Sequence, residues 1–100
     1  MAKEVILTPI AVNDFNNVVD YLTNKWGLTV TNNFIERFEK IIMLLSKNPG
    51  MFPFFDKPKH LQKCIVTKHN ILYFMETHEE IKILTIFDTR QDPEKLSAII

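Results

Sequence analysis

Lys57, Lys59, His60, Lys63, Lys68 and His69 crowd into one stretch that has no acidic residue between Lys57 and Met75. Further on, Asp88 and Arg90 close the apolar run ILTIF. Side chains of these types meet anions. Arginine offers a planar fork of donors, and an aspartate two positions away on the same strand face can orient it for phosphate or carboxylate. Histidine is the side-chain type that titrates near neutral pH, so His69 is the candidate for proton transfer, with Lys68 and Lys63 as further cations. Lys57, Lys59, Asp88 and Tyr73 are candidates for holding a substrate. A plainer reading stands level with this one. The lysines then form a solvated face, and Asp88 with Arg90 pins the chain end, an exposed pair contributing at most ~1 kcal/mol.

Other chemistries find no support. Gly27 and Gly50 are the only glycines, so a phosphate-cradling glycine loop is not expected. Ser46 and Ser97 are the only serines, and neither stands in a nucleophile elbow. His60, Cys64, His69 and His78 match no compact ligand spacing, so neither a metal site nor a cofactor is expected. Cys64 alternates within an apolar strand, which makes it a core thiol rather than a reactive one. Trp26 and Tyr73 fall on apolar faces, where packing is the default.

These residues need a scaffold, and hydrophobic periodicity supplies one. Val5-Ile6-Leu7 reads as a strand. Thr8 then caps a helix with Pro9 at its first position, where no N–H is required. Ala11, Phe15, Val18, Leu22 and Trp26 lie along one face of that helix, and Gly27 ends it. Thr29 caps a second helix whose stripe is Val30, Phe34, Phe38, Ile41 and Leu45, widened by Ile35 and Ile42. Asn48-Pro49-Gly50 stops it. The short connection at Gly27-Leu28 predicts an antiparallel helical hairpin. Met51 to Phe55 reads as a loop that lays aromatics over the core.

The period then changes. Residues 63–66, 71–75 and 81–87 read as strands joined by turns at His69-Asn70 and at residues 77–80. The last strand is apolar on both faces, with Ile81, Ile83 and Phe87 on one and Leu84 and Ile86 on the other, so it belongs inside the sheet. Asp92-Pro93-Glu94 caps one closing turn. The expected fold is α+β in the order β-α-α-β-β-β, a helical hairpin on one face of a small, mainly antiparallel four-stranded sheet spanning residues 1–100 as a single domain. A cationic hollow lined by Arg90 is expected on the uncovered face.

Bulk properties set the outer limits. The 100 residues contain 12 Lys plus Arg and 12 Asp plus Glu, a net charge of zero. Extended nucleic-acid binders depend on phosphate contacts and usually show a basic excess, so a large nucleic-acid interface is disfavoured. One cysteine cannot form an internal disulfide, and no apolar run approaches the ~20 residues of a membrane span. A cytoplasmic protein without a membrane partner is expected.

The strand–helix–helix–meander order, the breaker NPGMFP after the second helix and the ending FDTRQDPEKL together resemble the RelE/ParE superfamily of bacterial toxins, the toxin halves of type II toxin–antitoxin modules often called plasmid stabilisation proteins. The resemblance covers nearly the whole chain. It implies neutralisation by a cognate antitoxin that wraps the toxin and lays a helix in an apolar groove, with a homodimer or a heterotetramer as possible assemblies. It also implies one of two targets. RelE-like members cut mRNA on the ribosome: a base deprotonates the 2′-OH, cations stabilise the phosphorane and an acid protonates the leaving oxygen. ParE-like members poison DNA gyrase and are not nucleases. Arg90 matches the family arginine at the end of the last strand, and Lys63, Lys68 and His69 lie in the region of the family's basic residues. The chain departs from the nuclease pattern at Ile71, where many relatives are basic. It also has no Tyr, His or Phe after Arg90. A degenerate, non-toxic antitoxin-binding module is the third expectation.

Overall fold

The computed structural model describes residues 2–100. Strand β1 (Glu4–Leu7) leads into helices α1 (Pro9–Trp26) and α2 (Leu28–Lys47). A 3-10 turn (Pro49–Met51) precedes β2 (Phe54–Asp56), β3 (Leu61–Thr67), β4 (Asn70–Glu76), β5 (Glu80–Asp88) and α3 (Pro93–Ile99). The five strands form one sheet in the order β1-β5-β4-β3-β2. β1 runs parallel to β5, and the other pairs are antiparallel.

The expected four-stranded sheet is thus corrected to five strands. The extra one, β2, lies in the segment read as a loop. Pro53 precedes it, and an edge strand tolerates a neighbouring proline because one side of its ladder is unpaired. α3 is likewise longer than the single turn expected.

Helix α1 begins as its sequence dictates. Thr8 accepts a hydrogen bond from the Ala11 N–H at 3.1 Å, with Pro9 at the first position. Gly27 adopts φ +89°, and its N–H caps α1 while its carbonyl starts α2. Substitution there would strain the backbone, because L side chains rarely take this conformation. Thr23 and Thr31 join their hydroxyls at 2.9 Å across the hairpin. Phe15, Phe34 and Phe38 cluster beneath it, with ring centroids 4.7 Å apart for Phe15 and Phe38.

The hairpin covers one face of the sheet, where Cys64, Val66, Leu72, Phe74, Ile81, Ile83 and Ile86 meet Ala11, Phe34, Phe38, Ile41 and Leu45. The other face gathers Leu61, Tyr73 and Phe87 against Leu96 of α3. The facing of β5 therefore differs from strict alternation. Tyr73 pairs with Thr85 but Phe74 pairs with Ile83, so Leu84 is the extra residue of a β-bulge. Ile86 consequently joins Ile81 and Ile83 under the helices, and Phe87 joins Leu84 on the far side.

The bulge leaves backbone groups that the sheet cannot satisfy, and α1 supplies their partners. Thr8 donates its hydroxyl to the Leu84 carbonyl at 2.8 Å. Asp14 accepts from the Thr85 hydroxyl and, at 3.0 Å, from the Ile86 N–H. One helix thereby fixes where β5 bends and which way its last residues point.

Candidate functional site

Beyond the bulge, Ile86, Asp88 and Arg90 all line a cleft of about 710 Å³ between the sheet and the helical hairpin. Arg90 is therefore on the helix-covered side of the sheet, at its rim. The expectation of a cationic hollow on the uncovered face is corrected: the bulge turns the end of β5 toward α1. The guanidinium is not buried under the helices, and half of the Arg90 side chain remains exposed.

Asp88 holds Arg90 with both oxygens. Its Oδ1 accepts from Arg90 Nε at 3.0 Å and from the Arg90 backbone N–H at 2.9 Å, and its Oδ2 accepts from Nη2 at 2.7 Å. These bonds from Arg90 hold the Asp88 carboxyl below the usual carboxylate range, and Asp88 in turn raises the guanidinium. The guanidinium also sits over the Tyr21 ring, 5.6 Å from its centroid. Lys25 stands one helical turn on, with Nζ 5.6 Å from the Tyr21 centroid and 5.9 Å from that of Trp26. Interaction with the Lys25 ammonium, then with Arg90, holds the Tyr21 phenol below its ordinary value. Arg37 of α2 also lines the cleft, donating from Nη1 to the Val66 carbonyl at 3.2 Å. His69, in the turn between β3 and β4, completes the rim and accepts at its carbonyl from the Thr89 N–H at 2.8 Å.

Of the candidates read from the sequence, the fold brings together His69, Asp88 and Arg90. Lys68 is exposed in the same turn but lies outside the cleft lining. Lys63 pairs with Tyr73 across β3 and β4, on the face away from the hairpin. Tyr73 is buried there and meets Phe55 edge-on at 5.0 Å. Lys57 and Lys59 sit in the turn entering β3, at the opposite end of a seven-residue strand, roughly 20 Å from the His69 turn. The basic stretch is therefore contiguous in sequence and dispersed in space.

Tyr21, Lys25, Trp26, Arg37 and Asp14 were not foreseen in this region. Trp26 corrects an expectation outright, since it is 61% exposed instead of packed. It ends α1 where the hairpin overhangs the sheet. A signal was available: Tyr21 and Lys25 are four apart, a spacing that places a cation over a ring on one helix face. Among the described residues no group of histidine, cysteine and carboxylate side chains is disposed to hold a metal ion. No helix of the described chain is long and apolar enough to cross a membrane.

Residues 5–93 match a family model described as the ParE toxin of the type II toxin–antitoxin system, parDE. No curated protein matches the chain significantly. Among solved structures, the fold is similar to a chain of the chromosomal ParDE TA system from P. aeruginosa. That match has a TM-score of 0.73 and 13% identity, covering 87% of this chain and 96% of the other. The YoeB dimer from Staphylococcus aureus matches with a TM-score of 0.62 and 10% identity, covering 87% and 97%. The YoeB–YefM complex from Staphylococcus aureus matches with a TM-score of 0.58 and 10% identity over the same shares.

Proposed function

The chain belongs to the ParE toxin family of type II toxin–antitoxin systems, and from that premise we propose that it arrests growth by binding a protein target, DNA gyrase, rather than by cutting RNA. The observation that carries this reading is the closed Asp88–Arg90 fork. RNA cleavage through the 2′-OH needs a base, an acid and free cations around one phosphate. Here Nε and Nη2 of the arginine already serve a carboxylate. Lys63 lies across the sheet, and Lys57 and Lys59 lie at its far end. No Tyr, His or Phe follows Arg90 to act as the late acid. A protein-binding toxin needs a contact surface instead, and the zero net charge suits one.

Neutralisation by a cognate antitoxin belongs to the same proposal. The similar YoeB–YefM complex supports a partner of that kind, and the similar YoeB dimer supports self-association. A heterotetramer with the antitoxin is the further assembly in this proposal. Action on gyrase places the protein in the cytoplasm. Ribosome-dependent mRNA cleavage is the second reading, favoured only by the nearness of His69 to Arg90 in the cleft.

Induced expression without an antitoxin tests the choice. The expected result is growth arrest with DNA breaks or altered supercoiling, and intact mRNA. Cut mRNA within minutes, without DNA damage, would replace this reading with the second. Continued growth at high expression would favour a degenerate, antitoxin-binding module.

A further inference from the structure

Tyr21 is 41% and Trp26 61% exposed on one wall of the cleft. Lys25 reaches over both rings, and Arg90 over the first. Helix α2 adds Arg37, which spends a single nitrogen on the Val66 carbonyl. The cleft carries two carboxylates as well, but both are occupied. Asp14 accepts from Thr85 and the Ile86 N–H, and Asp88 is closed by Arg90. Lys25 and Arg37 form no salt bridge among the described residues. Lys25, Arg37 and Arg90 outnumber Asp14 and Asp88 by one charge, and this positive balance lies next to exposed aromatic rings.

We propose that this cleft binds a free nucleoside phosphate, its base stacked on the Tyr21–Trp26 wall and its phosphates held by Lys25, Arg37 and the outer edge of Arg90. Stacking on an aromatic face tolerates any base, because every base has a π face. Guanidinium forks suit phosphate oxygens in planar, two-point contacts. The volume of about 710 Å³ lies within the ~300–1,000 Å³ of small-molecule sites. The lowered Tyr21 phenol reports the same positive field. A single nucleotide fits better than a strand. The chain has no net positive charge to follow a phosphate backbone, and Lys57, Lys59 and Lys63 do not continue the cleft.

Trp26 is the only tryptophan, so its fluorescence reports on this cleft alone. The purified full-length chain is titrated with ATP and GTP, with guanosine, with inorganic tripolyphosphate and with a short single-stranded oligonucleotide. Calorimetry runs in parallel. Saturable quenching and heat are expected with either nucleotide, with guanosine and tripolyphosphate each about tenfold weaker or more. Lys25→Ala and Arg37→Ala should each weaken nucleotide binding about tenfold, and Lys57→Ala should leave it unchanged. Four outcomes would overturn the proposal. These are no nucleotide binding up to about 5 mM, tripolyphosphate binding as tightly as GTP, tighter binding of the oligonucleotide, or equal losses in the Lys57 and Lys25 variants.

Discussion

Beneath α1 and α2 the sheet buries a continuous cluster from Ala11 and Phe34 through Leu45 to Leu72, Phe74 and Ile81, whereas its opposite face buries Leu61, Tyr73, Phe87 and Leu96 under one short helix. On that second face Ile65 is left 67% exposed. The contrast separates two jobs. The hairpin side holds the molecule together, and its rim carries the charged aromatic cleft. The cleft is tied to the larger buried cluster through the Asp14 contacts to the bulge. The far side closes the sheet with fewer buried residues.

The sharpest way to break this contrast is a matched pair of truncations. Phe74→Ala, at a fully buried site on the hairpin side, should cost about 3–5 kcal/mol in urea unfolding. Leu96→Ala, on the thinner side, should cost nearer ~2 kcal/mol. Equal losses would mean that the two faces contribute alike. Asp14→Ala comes next. It strands the Thr85 hydroxyl and the Ile86 N–H, a loss of about 1–3 kcal/mol. Asp14→Asn keeps one acceptor and should fall between the variant and the parent.

A smaller effect depends on pH. Burial on the hairpin side pushes the Cys64 thiol from 9.0 up to about 11. The folded chain then holds this proton more tightly than the unfolded chain does. The stabilisation is complete below the ordinary thiol value and is lost as pH rises toward about 11. Thermal melts across that alkaline window should show a falling stability that Cys64→Ala flattens. The smallest effect belongs to Arg90→Ala, which removes an exposed pair and should leave unfolding stability nearly unchanged. A large loss would show that the rim, and not only the core, carries the fold.

Local signals in the sequence located most of the scaffold. Thr8-Pro9 started α1, Gly27 divided the hairpin, and Pro49-Gly50 ended α2, because caps and breakers act within a few residues. β2 escaped notice because a three-residue strand is too short to show a period. The bulge at Leu84 was also illegible. Alternation presumes an unbroken ladder, and an extra residue in a wholly apolar run leaves no mark in residue type. Missing it reversed the facing of everything after it, including Asp88 and Arg90. The cleft was half visible for the same reason. His69, Asp88 and Arg90 lie on the sheet where the charge pattern drew attention, while Tyr21, Lys25 and Arg37 arrive from helices brought near only by folding.

The bulge has a consequence for how such chains can diverge. A ladder that absorbed Leu84 instead of bulging it out would turn Asp88 and Arg90 to the surface that carries Lys63, without any change in their identity. Loss of the Leu84 codon, by contrast, would leave them where they are, because Ile83 and Ile86 would then stand two positions apart. A one-residue slip in the pairing of β5 could thus carry an arginine from one surface to another, and an inventory of its side chains would not register the move.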